Sequence, residues 1–212
     1  MSPPSPADEI RRPHRAVLAV GALLGMLLLP PGPAVAATLL PALAPQPIEL
    51  TPAFTRFDGV ELMLSRFRSG PLEFETDALG PWRHDKDASR PDALLFKHAV
   101  LRGVTLTFVA FAKPSPARSD DAWKAYLRQV ADLLGLQAPP LDETDLARTP
   151  ALASWPVREA LFTPPAPAAA ERHLVAARPD GGGILLILTG PAAELARADR
   201  DLRLFLARLE RK

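Results

Sequence analysis

The order of apolar patterns along this chain predicts an α+β fold, an antiparallel β-sheet with helices packed on it. Three observations carry the prediction. Strand-like segments come in pairs joined by short turns, at residues 94–112 and 173–188. Each pair is followed by a segment whose apolar residues recur at helical spacing. Hairpins imply antiparallel pairing, and helices that follow hairpins rather than alternate with single strands imply α+β instead of a parallel sheet.

Apolar alternation starts at Val60, where Val60, Leu62 and Leu64 share one face and Glu61, Met63 and Ser65 the other. Ser69, Gly70 and Pro71 then turn the chain into a short strand over residues 72–76. Residues 80–92 (GPWRHDKDASRPD) are polar and bounded by proline, so they read as a loop. The strongest strand pair joins residues 94–100 to residues 104–112, rich in β-branched and aromatic side chains. Leu101, Arg102 and Gly103 link them, a length that suits a bulged hairpin with glycine in the left-handed region. Ser119 is an N-cap, followed by Asp120 and Asp121 at the positive end of a helix dipole. Trp123, Leu127, Val130 and Leu134 then form one apolar stripe, so a helix runs over residues 120–134 and stops at Gly135.

A strand follows at residues 156–162, then a Pro/Ala-rich loop at 163–170, a strand at 173–177 and a turn through Pro179, Asp180, Gly181 and Gly182. The next strand, GILLIL at residues 183–188, is apolar without interruption, which implies burial on both faces. It belongs with residues 104–112 at the centre of the sheet. Thr189, Gly190 and Pro191 open the last helix. Its buried stripe is Leu195, Ala198, Leu202, Phe205 or Leu206, and Leu209, and Arg208, Arg211 and Lys212 complement its negative end.

The first 37 residues read as a cleaved signal peptide. Arg11, Arg12 and Arg15 precede an apolar run at residues 16–29, prolines 30, 31 and 33 break it, and Ala34, Val35, Ala36 and Ala37 supply small residues for cleavage. Fourteen residues at helical rise cover about 21 Å, short of the ~30 Å hydrocarbon core of a bilayer. The chain has no cysteine, which excludes a lipoprotein anchor and any disulfide. Residues 38–55, rich in proline, are expected to be an extended arm with no packed contribution up to about residue 50. Residues 56–212 are expected to form a single domain. The leader holds three of the 25 basic and two of the 24 acidic residues, which leaves 22 of each in the exported part. That balance argues against a nucleic acid or an anionic membrane as partner. The predicted location is periplasmic or secreted, without stable membrane insertion after cleavage.

Residues 94–135 and the run ERHLVAARPDGGGILLILTGPAAELARADRDLRLFLARL at 171–209 resemble the PsbP-like group of small exported domains. In that group an apolar penultimate strand ending in Thr-Gly is followed by a terminal helix packed across an antiparallel sheet. The group's opening Phe-x-(Ile/Leu)-Pro strand has no match here, and Leu79-Gly80-Pro81-Trp82 is the nearest counterpart of the Gly-Trp that follows it. The resemblance implies an αβα sandwich and a non-enzymatic accessory or binding protein of the bacterial cell envelope, with an envelope protein as partner. It transfers no site residue.

Two further sets of residues bear on chemistry. His84, Asp85 and Asp87 could form the core of a metal-dependent hydrolase if His98 or the Glu171–His173 pair converged on them, but no HxH or HxxxH spacing is present. His98, on a strand face with Leu94, Phe96 and Val100, reads as a satisfied core or edge histidine. No serine lies in G-x-S-x-G or S-x-x-K. Gly181, Gly182 and Gly183 lie between two strands and make a hairpin turn rather than a phosphate loop. No catalytic residue, metal or cofactor is assigned. Trp82 and Trp155 sit beside prolines in predicted loops and are the expected binding residues, with contacts through them and the loops at 80–92 and 163–170 rather than a charged face. Packing against the sheet edge is the alternative for both.

Overall fold

The structure is a computed structural model and describes residues 42–77, 79–139, 152, 154–165, 168–179 and 181–212. The leader assigned to residues 1–37 lies outside the described residues. Two hairpins, each followed by a helix, supply most of the main sheet. The strands are β1 (Pro45–Gln46), β2 (Glu49–Phe57), β3 (Val60–Ser69), β4 (Leu72–Thr76), β5 (Trp82–His84), β6 (Leu94–His98), β7 (Thr105–Phe111), β8 (Val157–Phe162), β9 (Ala170–Ala177), β10 (Gly183–Gly190) and β11 (Glu210–Arg211). The helices are α1 (Asp120–Leu134) and α2 (Ala192–Ala207). The main sheet runs β5-β6-β7-β10-β9-β8, and β1 continues along β7 with Pro45 opposite Phe111. A second, four-stranded sheet runs β11-β4-β3-β2. Every pairing is antiparallel.

β10 and β7 are central neighbours, as the uninterrupted apolar runs predict, and every residue of β10 is buried. Its side chains alternate between two cores. Leu185 and Ile187 join Trp123, Leu127 and Val130 of α1, whereas Ile184, Leu186 and Leu188 join Leu195, Leu202 and Phe205 of α2. Among the described residues, each face of the sheet therefore carries one helix. A Cβ at Gly183 would collide with the backbone oxygen of Ala176 and the ring of Phe111, so only glycine fits where β10 enters the sheet.

α1 has the bounds that its caps predict. Ser119 Oγ accepts from Ala122 N–H at 3.3 Å, and Gly135 closes the helix with φ of 67°. The connection between β6 and β7 is longer than the three-residue turn expected, because β6 ends at His98 and residues 99–103 make the turn, with Gly103 in the left-handed region at φ of 74°. The end of α2 departs from expectation. The helix stops at Ala207, and Arg211 lies in β11 opposite Phe74 rather than in a last helical turn. The Lys212 N–H continues that strand by donating to Glu73 O at 3.0 Å.

Two expectations about loops are corrected. From residue 42 onward, the segment expected to be a free arm is packed: Leu43, Ile48 and Ala53 are buried, and β1 and β2 pair within sheets. Pro52 is tolerated because β2 is an edge strand, where a missing N–H on the outer side breaks no ladder bond. Residues 80–92 also contain a strand, since Trp82 pairs with His98 and His84 with Phe96.

Candidate functional site

The β2–β3 hairpin reaches past the body of the protein as a finger. Its turn is Asp58-Gly59, with φ of 47° and 82°, both in the left-handed region as a type I′ turn requires. Cross-strand partners share a face, so Leu50, Phe67 and Phe74 lie on the side packed against the main sheet. Further out, the same face carries Phe54 opposite Met63, and there the body no longer covers it: they are 63% and 67% exposed. The other face carries Phe57 opposite Val60, then Leu62, and these are 68%, 59% and 41% exposed. The finger is apolar on both sides.

A cleft of about 510 Å³ lies between the finger and the C-terminal end. Phe57, Leu62 and Leu64 form its apolar wall, and Glu75, Asp77, Arg208 and Glu210 are among its charged residues. Part of that charge is structural. Arg66 bridges Glu73 at 3.1 Å and Glu75 at 2.6 Å, and Lys212 reaches Glu75 at 3.2 Å. Burial alone would raise the Glu75 pKa, but Arg66 and Lys212 outweigh it and hold the carboxyl below its ordinary value. By contrast, the side chains of Arg56, Glu61, Asp77 and Arg208 have no ion-pair or hydrogen-bond partner among the described residues.

A second polar cluster is sealed between α1 and the main sheet. Tyr126 and His173 Nδ1 lie 2.7 Å apart, and His173 Nε2 lies 2.8 Å from Glu171. A carboxylate can only accept, so Nε2 carries the ring proton and Nδ1 accepts from the Tyr126 hydroxyl. All three residues are buried, under a Trp123 ring stacked on Tyr126 at 5.3 Å. On the opposite face Glu159, Arg172, Asp199 and Arg203 form a partly buried ion-pair network that holds α2 to β8 and β9.

No family model, curated protein or solved structure matches the chain. Function must therefore be read from the residues themselves.

The residues singled out in the sequence are placed as follows. Trp82 and Trp155 are not exposed anchors but core residues, 1% and 7% exposed. Trp82 stands edge-on to His98 at 5.0 Å, and Trp155 stands edge-on to Phe74 at 6.0 Å with the Arg211 guanidinium 5.8 Å from its ring. The prolines beside them do not break the fold: Pro81 O accepts from Ala99 N–H and Pro156 O from Ala177 N–H, each at 2.8 Å. His98 is the satisfied histidine its strand position predicts. Its Nδ1 accepts from the N–H of Val100 and Leu101, and its Nε2 pairs with Asp201 at 2.9 Å.

The His84 loop does not gather ligands. His84 Nε2 contacts Ser89 Oγ at 3.0 Å, and burial, together with nearby Lys86, lowers the ring's pKa. Asp85 is taken up by Lys97 at 2.6 Å, a hydrogen bond that lowers the carboxyl's pKa. Among the described residues, no group of three or more His, Asp or Glu is placed to hold a metal ion. Sequence reasoning missed the finger, although Asp58-Gly59 between alternating apolar runs is a strong hairpin signal. It also missed the link between Tyr126 and His173, which lie 47 residues apart.

Tyr126 is the one tyrosine in the chain, so it can be titrated without interference. Burial first, and then the nearby Glu171, raises its pKa far above the ordinary value. The folded-state value exceeds the unfolded one, so the effect costs nothing at neutral pH. Above about pH 10 only the unfolded chain loses the proton, and stability falls by up to about 1.4 kcal/mol per pH unit. Phenolate absorbance is expected to appear only together with loss of far-UV circular dichroism. Phenolate formation in a chain that remains folded would show that Tyr126 is open to solvent.

Proposed function

We propose that this chain is an exported, non-enzymatic accessory protein of the bacterial cell envelope that acts by protein–protein contact through the β2–β3 finger. The observation that carries the reading is the exposure of Phe54, Phe57, Val60, Leu62 and Met63 at one hairpin tip. Their combined apolar surface is of the order of 500 Å², at the upper end of what a free-standing monomer tolerates. The charge balance of the part after residue 37 fits a protein partner better than a nucleic acid. The described histidines support a non-catalytic role: His98 and His173 are buried and engaged at both ring nitrogens, and His84 is held by Ser89. One helix on each face of an antiparallel sheet is also the arrangement that a PsbP-like sandwich would have, with the four-stranded sheet as an addition.

The test is cell fractionation combined with a photo-crosslinking residue at position 63. The expected result is a chain shortened at about residue 37, found in the envelope fraction and crosslinked through the finger to a protein. An unshortened chain in the cytosol, or no protein adduct from position 63, would overturn the proposal.

A further inference from the structure

The finger concentrates the exposed redox chemistry of the chain on one atom. Cysteine is absent, and Met1 and Met26 lie within the first 37 residues, so the part after residue 37 holds a single sulfur, that of Met63. The aromatic side chains open to oxidation are shielded: Trp82, Trp123, Trp155 and the one tyrosine, Tyr126, are all buried. Met63 by contrast is 67% exposed, and it stands opposite Phe54 on the same side of the ribbon. An oxidant that meets the folded chain therefore finds its sulfur target at the centre of an exposed apolar surface.

A thiol must lose a proton before it reacts, whereas a thioether has none to lose, so for Met63 exposure decides the rate. With a peroxide the step balances. A sulfur lone pair attacks one peroxide oxygen, and an S–O bond forms as the O–O bond breaks. Sulfur gives up two electrons, and the departing hydroxide takes the proton of the transferred oxygen and leaves as water. The product replaces a soft apolar side chain by a polar one with a strong acceptor oxygen. On the finger that change spares the fold, because the side chain is exposed while the backbone stays paired with Phe54. It does not spare a contact. A partner closed over the Phe54/Met63 side would have to bury the new oxygen without a donor in place to pair it. We propose that Met63 is a reversible oxidation site that governs the finger: as the thioether it presents an apolar contact, and as the sulfoxide it releases the partner. Methionine sulfoxide reductases supply the return step.

This rests on the contact role proposed for the finger, and the test separates the two. The chain is purified in the form that cells accumulate, with a photo-crosslinking aromatic residue at position 54. It is treated with hydrogen peroxide, freed of the oxidant and illuminated together with the envelope fraction. The intact mass is expected to rise by one oxygen atom, placed at Met63 by peptide mapping, with thermal unfolding unchanged. The yield of protein adduct should fall at least about tenfold on oxidation and return after treatment with the two methionine sulfoxide reductases. Met63→Leu, compared with its own untreated yield, should show no response to peroxide. Met63→Gln, which carries a polar oxygen at the same place, should give a low yield without any oxidant. A folded chain in which Met63 resists peroxide, or a peroxide response retained by Met63→Leu, would overturn the inference. An adduct that persists when Met63 is fully converted would overturn it while keeping the contact role of the finger. No protein adduct from the untreated chain would overturn both.

Discussion

Phe67→Ala is expected to lower the melting temperature by roughly 6 to 20 °C. Truncating a buried phenylalanine costs about 3–5 kcal/mol, and each kcal/mol moves the midpoint of a domain this size by about 2–4 °C. Phe67 belongs at the upper end of that cost because of where it stands. It is 1% exposed, stacked on Phe108 at 5.3 Å, and in contact with Phe205 at 6.0 Å and Phe96 at 6.1 Å. Its ring thus joins β3 of the small sheet to β6 and β7 of the main sheet and to α2. The surrounding side chains come from three rigid elements, so the void cannot close by a shift of one neighbour. Phe67→Leu, which keeps part of the volume, should lose markedly less. A thermal scan in which the alanine variant melts within a few degrees of the parent would show that the two sheets are not joined there.

His173→Ala is expected to cost about 3–5 kcal/mol, because it leaves the Glu171 carboxylate buried without a partner. The Tyr126 hydroxyl loses its acceptor in the same step. Tyr126→Phe removes only a donor and should cost about 1–3 kcal/mol. Glu171→Gln keeps an oxygen that can accept from His173 Nε2 while removing the buried charge, so it should be the mildest of the three. Denaturant unfolding of the three variants gives the order directly. If His173→Ala were no worse than Tyr126→Phe, the cluster would not be holding a charge inside the protein.

The parts of this fold that were legible in the sequence are those governed by local periodicity. The helix α1 could be read to the residue because Ser119, the stripe from Trp123 to Leu134, and Gly135 all act within one segment. Strand β10 could be placed at the centre because an uncharged run has nowhere else to be buried. The finger was hidden by proline. Pro52 argues against a strand in general but not against an edge strand, and sequence alone does not say which strands are edges. The two tryptophans were hidden in a related way: Pro81 and Pro156 marked loops, yet Trp82 heads a three-residue strand and Trp155 packs beneath the C-terminal tail. The buried Tyr126–His173–Glu171 cluster depends on α1 lying across β9, and no spacing along the chain encodes that crossing.

The position of β10 also governs how the chain reaches its native state. β7 is made first, but the strand that pairs along its long inner edge arrives only at residue 183, after α1, β8 and β9. Closing so distant a pair is slow, because chain entropy is lost well before the contact repays it. Throughout that delay the uncharged, proline-free GILLIL segment remains without the β7 edge that completes its ladder. Segments of that length and composition pair readily with copies of themselves. The strand most deeply buried in the finished protein is therefore the one through which unfinished chains adhere to one another, and folding yield should depend on chain concentration more than on final stability.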